Sequence, residues 1–162
     1  MNIRIAIILF LVISFSAIKS LSAQEIKTYN FTQLEPILHQ TNDTTYIINF
    51  WAMWCKPCVE ELPEFEIIRK AYSNKKIKII LVSLDFGSKV EDRLNKFLKR
   101  KQINAKTLIL DDPDANAWIE KVDKNWDGAI PVTLIYNKEK RIFLSHAITS
   151  TELSKAIDRI IN

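Results

Sequence analysis

The chain has 162 residues, 48% of them hydrophobic and 26% charged, with two Gly, two Cys and two His. That length and composition fit one folded domain with its own core, and exclude global disorder, a disulfide-dense mini-scaffold and most all-protein structural zinc sites. The formal charge of +4 falls to about +2 once the N-terminal segment carrying Arg4 and Lys19 is set aside, too small an excess for a nucleic-acid binder.

Residues 1–23 begin Met-Asn-Ile-Arg, continue through an unbroken apolar run from Ile5 to Ile13, and end in the more polar Ser14 to Ala23. This is the layout of a secretory signal peptide, with cleavage expected after Ala23, or alternatively after Ser22. The apolar stretch to Ile18 is shorter than the roughly 20 residues of a membrane span, and a retained anchor is the competing reading. No Cys follows it, so no lipoprotein attachment site is expected. Residues 24–162 read as one domain, exported and soluble in the periplasm.

Ile26–Tyr29 is a short strand candidate, and Thr32 with Glu35 suggests a capping box for a helix reaching about Gln40. Thr45–Trp51, rich in β-branched and aromatic residues, predicts a buried central strand. Val59, Leu62, Phe65, Ile68 and Tyr72 recur near helical spacing from Lys56 onward, with a kink expected at Pro63. Ile77–Leu84 predicts a second buried strand. Val90, Leu94, Phe97 and Leu98 mark another helix, whose Lys96, Lys99, Arg100 and Lys101 form its wet face. Thr107–Leu110 is a short strand, after which Asp112 is expected to cap and Pro113 to open a helix carrying Trp118 and Val122. Pro131 precedes the strand Val132–Tyr136, which turns at Asn137–Lys140 into the hairpin partner Arg141–His146. Thr149 and Glu152 suggest a capping box before Leu153, Ala156, Ile157, Ile160 and Ile161. Alternating strands and helices followed by a hairpin and a closing helix predict an α/β fold, a mixed central sheet with helices on both faces.

The chemistry lies in Cys55-Lys56-Pro57-Cys58. Two cysteines at this spacing, after a buried strand and opening a helix, form a redox motif when metal partners are absent. The free N–H groups and partial positive charge of a helix N-terminus stabilise a thiolate, so Cys55 is the candidate nucleophile and Cys58 the less exposed resolving thiol. Competing readings are half of a zinc site, which lacks partners because His39 and His146 are distant in sequence, a purely structural disulfide, and an inert core pair.

The run Asn49 to Pro63, Asn-Phe-Trp-Ala-Met-Trp-Cys-Lys-Pro-Cys-Val-Glu-Glu-Leu-Pro, resembles the active-site segment of thioredoxin-fold proteins, and more narrowly the exported TlpA/ResA-type thiol–disulfide oxidoreductases. Gly128-Ala129-Ile130-Pro131-Val132-Thr133 resembles that family's cis-proline segment, and the likeness extends over nearly all of residues 25–161. It implies a thioredoxin-like three-layer sandwich, with Cys55 attacking, Cys58 resolving, Pro131 as the cis-proline and Ile130 offering backbone hydrogen bonds to substrate. Asn49 stands where thioredoxin has a buried acid, and Glu61 matches the acidic residue that ResA-type proteins place near the cysteine pair. That carboxylate would raise thiol pKa values or relay a proton; the competing reading makes it part of a solvated helix start with Glu60, Glu64 and Glu66. Trp54 is the candidate apolar platform for a partner chain, whereas Trp51, Trp118 and Trp126 read as core.

The expected activity is thiol–disulfide exchange with protein substrates by a monomer that needs no metal, flavin or nucleotide. The resemblance favours the reducing direction, with cytochrome c precursors among the substrates and a membrane thiol transporter as electron donor. A thiol peroxidase on the same fold is the alternative enzyme, although the position where peroxiredoxins need Thr or Ser is Ala52. A binding module with a spectator disulfide is the non-enzymatic alternative.

Overall fold

The computed structural model describes residues 25–162; the export segment expected over residues 1–23 lies outside them. Along these residues the elements are β1 (Lys27–Tyr29), α1 (Phe31–Leu34), β2 (Thr45–Trp51), α2 (Lys56–Ala71), β3 (Ile77–Ser83), α3 (Val90–Lys101), β4 (Lys106–Leu110), α4 (Ala115–Val122), β5 (Val132–Tyr136), β6 (Arg141–Leu144) and α5 (Ser150–Ile161). The sheet order is β1-β4-β3-β2-β5-β6. β1, β4, β3 and β2 run parallel, while β5 and β6 are antiparallel to their neighbours.

Every residue of β2 is buried, because helices cover both faces of the sheet. Ile47 and Trp51 point, with Leu81, Ile109 and Ile135, into a core closed by Leu62 and Phe65 of α2, Leu94 of α3 and Leu153 and Ile157 of α5. Tyr46, Ile48 and Phe50 point the other way, with Ile80, Val82 and Leu134, against Phe31, Leu34, Trp118 and Trp126. Each such Leu, Ile or Phe contributes about 1.5–3 kcal/mol by leaving water. The period of two along the strands thus builds the expected three-layer sandwich. Trp51, Trp118 and Trp126 are core residues, and the lysine-rich face of α3 is solvated, as expected.

Local chemistry differs from expectation at three helix starts. The first helix is capped by Asn30 and Gln33, whose side chains and backbone N–H groups bond reciprocally, rather than by Thr32 and Glu35. Because Pro36 has no N–H to donate to Thr32, the α-helix gives way at Glu35–Leu38 to a 3-10 turn with Pro in its first positions. Asp112 does not cap α4: one of its carboxylate oxygens accepts the Phe31 N–H at 3.0 Å, and the other accepts the Asp114 N–H. The helix accordingly begins at Ala115, with Pro113 outside it. Thr149 does cap α5, accepting the Glu152 N–H at 3.3 Å, but the Glu152 carboxylate pairs with His146 at 2.8 Å instead of completing the box. β6 ends at Leu144, two residues before the expected limit. α2 continues from Lys56 to Ala71 with Pro63 inside it.

Candidate active site

β2 delivers the chain to the carboxyl end of the central strand at Trp51, and four residues later Cys55 becomes the N-cap of α2. Its backbone is extended, and its Sγ accepts the Cys58 N–H at 3.3 Å, taking the place that a serine or aspartate oxygen holds at an ordinary N-cap. Pro57 occupies the first turn, where its missing N–H leaves no intrahelical bond unmade. Cys55 and Cys58 are joined as a disulfide, with Cα atoms 5.3 Å apart. Cys55 keeps 7% of its surface exposed and Cys58 none. Cys55 is thus the less enclosed of the two, and its sulfur lies on a helix N–H, an arrangement that favours its thiolate after reduction. Lys56 contributes little beyond net charge, since its 3.8 Å pair with Glu60 is largely solvated.

Two neighbouring strands hold this turn. On the β3 side, the Trp51 carbonyl accepts the Leu84 N–H at 2.8 Å, and the buried Asp85 carboxylate accepts the Met53 N–H at 2.9 Å and the Ser83 hydroxyl at 2.8 Å. Asp85 escaped the sequence reading; the only local hint is an acid two residues beyond a buried strand. On the β5 side, the Ile130–Pro131 peptide is cis, and the Ile130 carbonyl oxygen lies 3.7 Å from the Cys55 sulfur. The Trp126 indole N–H donates to the Ala129 carbonyl at 2.7 Å, tying this loop to the aromatic core. Gly128 is needed there twice over. Its φ of +91° disfavours any side chain, and a Cβ would stand 2.9 Å from the end of Ile119.

Glu61 lies one helical turn beyond Cys58 and is only 3% exposed, unlike solvated Glu60. Its two carboxylate oxygens accept the Asn49 amide at 2.8 Å and the Ile148 N–H at 2.7 Å. The Asn49 amide also reaches the Val132 carbonyl at 3.2 Å and the Thr133 hydroxyl at 3.1 Å, so β2, β5, α2 and the segment before α5 meet at this carboxylate. Burial pushes the Glu61 carboxyl up to about 7, against the pull of Ile148, Asn49 and His146. Glu66 on the same helix is the contrast. Burial pushes its carboxyl up too, but the Arg69 guanidinium and the N–H groups of Asn104 and Ala105 outweigh that and leave it below the ordinary glutamate value. Glu61 has no such cation among its hydrogen-bond partners.

Cys55, Cys58, Ile130 and Pro131 thus converge where β2 ends and β5 begins, with Trp54 next to Cys55 in the chain and 64% exposed. Glu61 sits deeper, beneath the helix. No group of three His, Cys, Asp or Glu among the described residues could hold a metal ion.

Residues 19–144 match the AhpC/TSA family. The chain is 33% identical over 63 residues to the thioredoxin-like protein YneN of Bacillus subtilis, a match covering 39% of this chain and 36% of that protein. It is 23% identical over 117 residues to the thiol-disulfide oxidoreductase ResA of Geobacillus thermodenitrificans, covering 70% of this chain and 61% of ResA. The chain therefore spans between about a third and three fifths of these relatives' lengths. A thioredoxin-related protein from Neisseria meningitidis serogroup B superposes with a TM-score of 0.63 at 21% identity, covering 74% of this chain and 87% of that one. A thioredoxin-like sandwich with a Cys-X-X-Cys pair opening α2, and a sequence matched across most of its length, place this chain in the AhpC/TSA family.

Proposed function

We propose that the chain is a thiol–disulfide oxidoreductase acting on protein substrates through Cys55 and Cys58. The observation that carries this reading is the bonded pair at the N-terminus of α2, its outer sulfur facing the Ile130–Pro131 segment. In the reducing direction, the Cys55 thiolate attacks a substrate disulfide. A Cys55–substrate disulfide forms, and the displaced substrate sulfur leaves as a thiolate that takes up a proton. Cys58 then loses its proton and attacks Cys55 Sγ, closing the internal disulfide and releasing the second substrate thiol. Two electrons pass to the substrate, and its two sulfurs take up one proton given up by Cys58 and one from solvent, which received the Cys55 proton when the thiolate formed. In this reading Glu61, a buried carboxyl one turn from Cys58, takes part in that proton transfer or tunes both thiols. Ile130 and Pro131 receive the substrate backbone and Trp54 its side chains.

Dithiothreitol-driven insulin reduction tests this activity. The protein is expected to shorten the lag before turbidity, and no acceleration would leave a spectator disulfide. The same preparation is expected to consume no peroxide, because Ala52 supplies no hydroxyl near Cys55.

The reducing direction, cytochrome c precursors as substrates and a membrane thiol transporter as donor rest on the likeness to ResA-type proteins; the potential of the pair against glutathione assigns the direction. We also place the protein outside the cytoplasm. No helix of the described residues is long and apolar enough to cross a membrane. Intact mass of exported material is expected to show a chain beginning at Gln24 or Ala23, whereas full-length protein in the membrane fraction would establish the anchor.

A further inference from the structure

Four large apolar side chains are exposed among the described residues: Trp54, Ile67, Phe86 and Ile161. The two aromatic ones stand at the redox end of the sheet. Trp51 and Ser83 end β2 and β3 in register, and the Met53–Asp85 hydrogen bond joins the loops that follow. Trp54 and Phe86 are each one residue beyond that bond. Phe86 is 71% exposed, yet its backbone is held from both sides. Asp85 is anchored to Met53 and Ser83, and the Arg93 guanidinium of α3 donates to the Phe86 carbonyl at 2.8 Å and to the Ser88 carbonyl. In the strand order β3-β2-β5, this loop flanks Cys55 on the side opposite Ile130 and Pro131.

An aromatic ring left in water on a braced loop contributes nothing to the core, and the ordering cost of the loop backbone that carries it is already met when a partner arrives. We propose that Phe86, with Trp54, forms a docking site for a large apolar side chain next to the redox cysteine of an extended protein substrate. The occupant follows from continuity with the exchange site. A segment whose sulfur reaches Cys55 and whose backbone lies along Ile130 must cross the ends of β2 and β5, and its flanking residues continue towards the β3 loop. This inference rests on the exchange activity proposed above, and makes Phe86 a specificity residue.

The test uses reduced protein and two symmetric disulfide-linked peptide dimers, identical except for Leu or Ser on both sides of the cysteine, with glutathione disulfide as a small control. Wild type is expected to reduce the Leu peptide about tenfold faster than the Ser peptide, a difference of about 1.4 kcal/mol. Phe86→Ser is expected to remove most of that preference, leaving the Ser peptide and glutathione disulfide rates unchanged, while Phe86→Leu retains it. The unchanged control rate also reports an intact fold. Equal wild-type rates for the two peptides, or a preference that survives Phe86→Ser, would overturn the proposal. So would sedimentation showing a wild-type dimer that Phe86→Ser dissociates, since Phe86 would then be covered by a second copy. Failure of wild type with all three disulfides would instead sink the exchange activity itself, and the docking site with it.

Discussion

Cys55→Ser is expected to bring insulin reduction down to the uncatalysed rate, whereas Cys58→Ser accumulates Cys55–substrate mixed disulfides that survive non-reducing electrophoresis. The asymmetry follows from the N-cap. Only Cys55 has its sulfur on a free helix N–H, 3.3 Å from the Cys58 nitrogen, and only Cys55 keeps any exposed surface. Helix N–H groups and partial charge lower a thiol pKa from its ordinary value of about 8.5. Alkylation of the reduced protein near neutral pH should accordingly label Cys55 well before Cys58. Preferential labelling of Cys58, or mixed disulfides trapped by Cys55→Ser, would reverse the two roles.

Glu61→Gln is expected to act on both the thiols and the pH dependence of stability. Removing a buried negative charge one turn from Cys58 should lower the apparent thiol pKa values, each tenfold change in the thiol ionisation constant being worth about 1.4 kcal/mol in favour of the thiolate form. The pair titrates as a coupled system, so whole curves are compared. Glu60→Gln, at a solvated position, should change them much less; equal small shifts would remove Glu61 from the mechanism. For stability, the folded carboxyl titrates near 7, above its ordinary value of 4.5. A raised carboxyl pKa means that the folded state binds a proton through this window that the unfolded state has released. Its contribution is therefore fully present below about pH 4.5 and lost as pH rises through about 7, up to about 3 kcal/mol in all. Urea unfolding of wild type should show that loss, and Glu61→Gln should flatten it, at the cost of turning an amide NH2 instead of an acceptor oxygen towards either the Asn49 amide or the Ile148 N–H.

These two expectations differ in how much of their basis was open to sequence. The cysteine pair was legible because its environment is local: a strand rich in β-branched residues, two cysteines with two residues between them and a helix start are all contiguous in the chain. Glu61 was legible only as a position on a helix. Its environment comes from Asn49, twelve residues earlier, and from Ile148, eighty-seven residues later. Its burial, against the exposure of Glu60 beside it, depends on which face of α2 meets the sheet. Glu66 makes the same point, since Asn104 and Ala105 satisfy it from beyond α3.

By itself the sequence determined the order of strands and helices, the two-sided burial of β2 and β3, and the redox pair. Hydrophobic periodicity and chain-local geometry are enough for each of these, whereas the proline that faces the pair was legible only through the family resemblance. Only the tertiary structure decided which polar groups found one another. Asp112 left its expected cap for the Phe31 N–H, Asn30 rather than Thr32 capped α1, and Asp85 took the Met53 N–H beneath the cysteine turn. A buried donor costs about 1–3 kcal/mol when unmet, so whichever acceptor the fold brings within reach is bound, however far away it lies in the chain.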